Sequence, residues 1–131
     1  MNYLIVAGDH PRHRHVIEAL LPQIRGEVDL LIYTREALEP VPPNSTGERL
    51  THLWRKHFEL RTAVEAQYFG REPTESLAPL FASITRASSS DFNIILGRLL
   101  AANNFDGLLS VGPGMILEST LDLLPAKSYN L

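Results

Sequence analysis

The sequence predicts a doubly wound α/β domain with a mainly parallel sheet. Continuous apolar runs read as strands buried on both faces, helical apolar stripes separate them, and Gly8-Asp9, Gly26 and Asp106-Gly107 mark where the chain turns. Tyr3 to Ala7 is the first run, too apolar for a sheet with a wet face. After a polar loop over His10 to Arg14, the residues Val16, Ala19, Leu20 and Ile24 recur at helical spacing, and Gly26 supplies a stop. Val28 to Thr34 is the second run. Its connection through a helix makes it a parallel neighbour of the first by the right-handed crossover rule.

Pro40, Pro42 and Pro43 forbid regular pairing and predict a loop. Ser45 with Glu48 fits a capping box, and Leu50, Leu53, Trp54, His57, Phe58, Arg61, Val64 and Tyr68 then share one stripe of a long helix ending near Gly70. Aromatics at that spacing are expected to face the sheet. Glu75 to Thr85 has helical composition interrupted by Pro79. Ser88 to Asp91 offers N-caps for a helix carrying Ile94, Ile95, Arg98, Leu99 and Ala102. Leu108 to Val111 reads as a strand, Gly112-Pro113-Gly114 as a loop, Ile116 to Leu124 as a short helix, and Tyr129 as the start of another strand.

Composition narrows the function. The 131 residues suit one domain, and 44% hydrophobic content is enough for a core. A net charge of -3 offers no field for polyanions, so neither nucleic acid nor an anionic membrane is an expected partner. The chain has no cysteine, which excludes thiolate metal sites and a cysteine nucleophile. No signal peptide is visible and no run approaches the roughly 20 apolar residues of a membrane span, so a cytoplasmic small-molecule protein is expected.

In a doubly wound sheet, ligands are expected beyond the carboxyl ends of the strands, which singles out Gly8 to Arg14 and Gly112 to Met115. In the first loop Gly8 permits close backbone approach, and the following helix start favours an anion. It lacks the G-x-G-x-x-G of dinucleotide sites. His10, His13 and His15 have no carboxylate or cysteine at a recognised metal spacing, so no metal is expected. The second loop can offer backbone groups to a flat heterocycle beside Met115 and Ile116.

Several segments carry a resemblance: Gly8-Asp9-His10-Pro11-Arg12-His13 after the opening strand; Lys56 to Gly70, with His57-Phe58, Arg61, Glu65 and Tyr68-Phe69-Gly70; and Gly112, Met115-Ile116-Leu117, Leu121 to Pro125 and Tyr129-Asn130-Leu131. Together they resemble the formyltransferases that use 10-formyltetrahydrofolate, a group including glycinamide ribonucleotide, methionyl-tRNA and amino-sugar formyltransferases. The resemblance implies a Rossmann-like amino-terminal domain over residues 1–131. It also implies that backbone groups of Met115, Ile116 and Leu117 hold the folate pterin, and that the Asn130 amide stabilises an oxyanion as an amine attacks the formyl carbon.

In the family a His two residues after that Asn, and a later Asp, complete the site. Neither has a counterpart among these 131 residues, so the chain is expected to be the front part of such an enzyme, without turnover of its own. By the same resemblance, Gly8, Asp9 and His10 would meet the acceptor, a small-molecule amine such as a nucleotide-linked amino sugar. The last strand is expected to leave a sheet edge open to a second chain, including a homo-oligomer. A formyltetrahydrofolate hydrolase and a non-catalytic α/β ligand-binding module are the alternatives.

Overall fold

The computed structural model describes residues 1–35, 47–112 and 116–131. The proline-rich loop, Ser45 and Met115 lie outside the described residues. Five parallel strands form one sheet: β1 (Asn2–Gly8), β2 (Glu27–Thr34), β3 (Ser83–Ser88), β4 (Gly107–Val111) and β5 (Ser128–Asn130), in the order β3-β2-β1-β4-β5. The helices are α1 (Pro11–Leu20), α2 (Glu48–Phe69), α3 (Phe92–Ala102) and the single turn α4 (Glu118–Leu121), with 3-10 segments at Leu21–Gln23 and Thr74–Leu80. This is the doubly wound, Rossmann-like α/β architecture.

β1 is central because its whole surface is apolar. Leu4, Ile5, Val6 and Ala7 are fully buried, and alternation divides them between two cores. Leu4 and Val6 pack with Leu31, Phe92, Leu96 and Leu108 beneath α3. Ile5 and Ala7 pack with Ile17 of α1, Leu30, Ile32, Leu77 and Val111 on the other face. Each of the Leu, Ile, Val and Phe side chains contributes about 1.5–3 kcal/mol by leaving water, so the two faces together hold the sheet.

Five sequence expectations are corrected. α1 begins at Pro11 rather than after Arg14: proline fits the first helical turn, and His10 caps it, its Nδ1 accepting from Arg12 N–H at 3.1 Å. The Glu75 to Thr85 stretch is not one helix. Pro79 limits it to a 3-10 segment, and the chain then extends into β3, an edge strand whose Ser-Ile-Thr-Arg-Ala-Ser carries no apolar run. In α3 the fully buried residues are Phe92 and Leu96, while Ile94 is exposed. The short helix expected from Ile116 narrows to α4.

The largest correction concerns α2. It contains no buried residue, and Leu50, Leu53, Leu60, Val64 and Tyr68 are exposed. Trp54 and Phe58 pack ring against ring at 5.2 Å rather than on the sheet. The place beside α1 is taken instead by the 3-10 segment, which buries Thr74 and Leu77 over β1 and β2. α2 rests on α1 through His15 against Phe69, ring centroids 5.3 Å apart, and through a carboxylate described below.

Candidate functional site

The carboxyl ends of β1, β4 and β5 carry residues singled out from the sequence, at the point between β1 and β4 where Ile17 of α1 packs on one face of the sheet and Ile116 on the other. A cleft of about 540 Å³ opens there, walled by Leu108, Ile116, Leu121 and Leu124. Its hydrogen-bonding side chains are Ser110, Ser128, Tyr129 and Asn130. Ser128 Oγ is already committed, donating to the Pro125 carbonyl at 2.6 Å. Asn130 is the last residue of β5, paired with Ser110, and the next amide, Leu131 N–H, donates to the Ser110 carbonyl at 2.9 Å. The backbone at Asn130 is therefore fixed while its side chain stays exposed.

Of the three cofactor candidates, Ile116 lines this cleft and packs on the α3 core. Leu117 is exposed, and its backbone is engaged: its N–H donates to Asn93 Oδ1 at 2.8 Å, and its carbonyl accepts from Thr120 and Leu121. Met115 lies outside the described residues.

The first loop is tied down from three sides. The Gly8 carbonyl accepts from buried Thr74 Oγ1 at 2.7 Å, and Asp9 N–H donates to the Tyr33 carbonyl. Asp9 Oδ1 in turn accepts from Glu75 N–H at 3.1 Å. His10 Nε2 faces Glu65 of α2 at 3.4 Å. Glu65 Oε1 also accepts from Arg12 at 2.8 Å and Arg61 at 2.9 Å, so one carboxylate gathers three cationic or protonatable groups and anchors α2 to α1. Burial pushes the Glu65 carboxyl up, but the Arg61 hydrogen bond and the charges of Arg12, Arg61 and His10 outweigh it and hold it below the ordinary value. A second cleft of about 460 Å³ runs between His10 and Pro11 on one side and Glu59, Thr62, Glu65 and Arg71 on the other. Among the described residues, no three His, Asp or Glu side chains converge as a metal site.

Sequence reasoning missed the group that joins the two loops. His13 sits between Gly8, at the end of β1, and Gly112, just past β4. A methyl group at Gly112 would lie 2.2 Å from His13 Nε2, and one at Gly8 would lie 2.6 Å from His13 Nδ1. Gly112 has φ +60, a left-handed conformation that glycine adopts without penalty. His13 Nδ1 is buried and makes no hydrogen bond among the described residues. The available signal was the pairing of strand-end glycines with a histidine one turn into the helix. From sequence the histidines read as metal ligands, as substrate contacts or as a solvated polar loop, and not as packing groups.

Comparison with protein-family models, with curated proteins and with solved structures finds no match for the chain.

Both loop imidazoles carry a pH consequence. Burial is the main cause holding His10 and His13 below 6.5. Glu65 pulls His10 partly back, and the Gly8 carbonyl does so for His13, while Arg12 adds to the depression of both. Below 6.5 the unfolded chain binds protons that the folded one refuses, so stability is complete above that value and is lost as pH falls toward the folded pKa values. Glu65 adds a loss of the same sign below 4.5. Urea unfolding should be nearly flat above about pH 7.5 and weaken steadily to about pH 5.5. His13→Gln should reduce that slope. Greater stability at about pH 5.5 than at 7.5 would contradict the depressed imidazoles.

Proposed function

We propose that this chain forms the folate side of a formyl-transfer site, with 10-formyltetrahydrofolate as donor and a small-molecule amine as acceptor. The observation carrying this reading is the placement of Asn130 and Ile116 on one cleft at the strand ends, Asn130 on a fixed backbone with an exposed amide. Apolar walls with a few hydrogen-bonding groups suit a flat heterocycle. The donor, when bound, would pass its formyl carbon to the acceptor nitrogen, the bond from that carbon to N10 breaking, the amine losing a proton and N10 gaining one as tetrahydrofolate leaves. Ile116 and Leu124 would bury the ring, with Met115 and Leu117 flanking it in sequence, and the Asn130 N–H would donate to the formyl oxygen as negative charge develops there. Gly8, Asp9 and His10 stand at the end of the adjacent strand but do not line this cleft, His10 lining the second one, so their part in holding the acceptor rests on the resemblance alone.

Among the described residues lining the cleft, none is an acid or base near neutral pH. That favours binding and polarisation, with proton transfer left to the His and Asp that the resembled family supplies. The same observation gives weight to a second reading, a ligand-binding module without catalysis.

The test is calorimetric titration of the 131-residue chain with 10-formyl-5,8-dideazafolate, an analogue of the donor, with no acceptor amine present. Saturable binding that is weakened about tenfold or more by Ile116→Asp, which sets a charge on an apolar wall, is expected. No binding, or binding indifferent to Ile116→Asp, would remove the folate assignment.

A further inference from the structure

The structure assigns His13 as a positioning residue: its imidazole, clamped between Gly8 and Gly112, fixes the exit of β4 at Gly112, itself a cleft-lining residue, and so couples the first loop to the cleft. The functional meaning of this clamp rests on the folate reading; the clamp itself does not.

The geometry leaves little freedom. The three atoms nearest a methyl group placed at Gly112 all belong to the His13 ring, at 2.2, 2.6 and 2.8 Å. A methyl group at Gly8 meets the same ring at 2.6 and 2.7 Å, and also the Gly112 carbonyl oxygen at 2.8 Å. The imidazole therefore lies flat against two bare Cα positions at the ends of adjacent parallel strands, where no other residue type leaves room for it. His13 comes from the first turn of α1, itself fixed by the His10 cap and by Arg14 N–H donating to the His10 carbonyl at 3.0 Å. A rigid helix start thus presses a planar ring onto the exit of β4. Four residues further on, Ile116 reaches the cleft wall.

The two glycines give the proposal unequal consequences. Shrinking His13 makes room for a methyl group at Gly112. It does not do so at Gly8, where the Gly112 carbonyl, a backbone atom, still obstructs.

The experiment compares wild type with His13→Ala, Gly112→Ala, Gly8→Ala and the doubles His13→Ala/Gly112→Ala and His13→Ala/Gly8→Ala. Urea unfolding, the amide NMR shift of Ile116, and titration with 10-formyl-5,8-dideazafolate are read on each. Gly112→Ala should weaken analogue binding by about tenfold or more, and His13→Ala in that background should restore most of it, the remainder reflecting the left-handed φ of Gly112. Gly8→Ala should gain nothing from His13→Ala. His13→Ala alone should move the Ile116 amide shift, which a ring with a merely local packing role would leave in place.

Where Gly112→Ala fails to fold, a folded spectrum in the double variant is the rescue. An unmoved Ile116 shift in His13→Ala, or equal rescue of both glycine variants, would overturn the assignment. Should wild type bind no analogue, the folate reading falls, and the Ile116 shift and the unfolding measurements still decide the clamp.

Discussion

On the proposed formyl-transfer reading, Asn130→Ala should lower kcat and kcat/KM by about 10²- to 10³-fold, the usual loss when one preorganised oxyanion donor is removed. The measurement uses the chain joined to a segment carrying the His and Asp of the resembled motif. Affinity for the donor analogue should change little, because its ring would rest on Ile116 and the apolar wall rather than on the amide. Two features make the result readable. The Asn130 side chain is exposed, so its removal leaves no cavity, and the strand is held by backbone pairing to Ser110 whichever side chain stands there. Unfolding curves of wild type and variant should therefore superimpose. Turnover within a few-fold of wild type would sink the assigned role, as would a loss of activity matched by a loss of folding.

Phe92→Ala should reduce the free energy of unfolding by about 3–5 kcal/mol, the cost of deleting a fully enclosed aromatic ring. Phe92 is 1% exposed, opens α3, and stands edge-on to Tyr33 of β2 with ring centroids 5.1 Å apart. Domains are commonly stable by only about 5–15 kcal/mol, so this single change consumes a large share and brings the chain close to unfolding at ambient temperature. Ile94→Ala, two residues further along the same helix but 57% exposed, is the control and should stay within about 0.5 kcal/mol of wild type. Equal effects from the two substitutions in urea titrations would mean that α3 packs through a different face.

These two residues also mark what could be read in advance. β1, β2 and β4 were legible because a strand buried on both faces must be apolar throughout, and such runs have few other uses. β3 was not. An edge strand spends only part of its surface on the core, so Ser83 to Ser88 satisfies its sheet with mixed side chains and gives no periodic signal. The stripe on α2 was legible as a helix and misleading as a location, since periodicity reports that a helix has an apolar side and not that the sheet has space for it. Thr74 and Leu77 had claimed that space. In the candidate site, Asn130 was singled out only because neighbouring segments resembled a family. His13 escaped because its importance lies in two missing side chains, at Gly8 and Gly112, brought together by strands far apart in the chain.

The strand order has a kinetic side. Every neighbouring pair in β3-β2-β1-β4-β5 is parallel, so no pairing can begin as a local hairpin. The centre of the sheet is also its most distant joint: β1 meets β4 with Tyr3 opposite Gly107, and beside that pairing the Asn2 N–H donates to Asp106 across 104 residues of chain. On a ribosome, β1 emerges well before β4. This strongly apolar strand thus waits with one edge uncovered until β4 follows, a period in which another unfinished chain is as suitable a neighbour as its own. Closing that long loop is the step on which the folding rate should depend, and the interval during which a chaperone has most to protect.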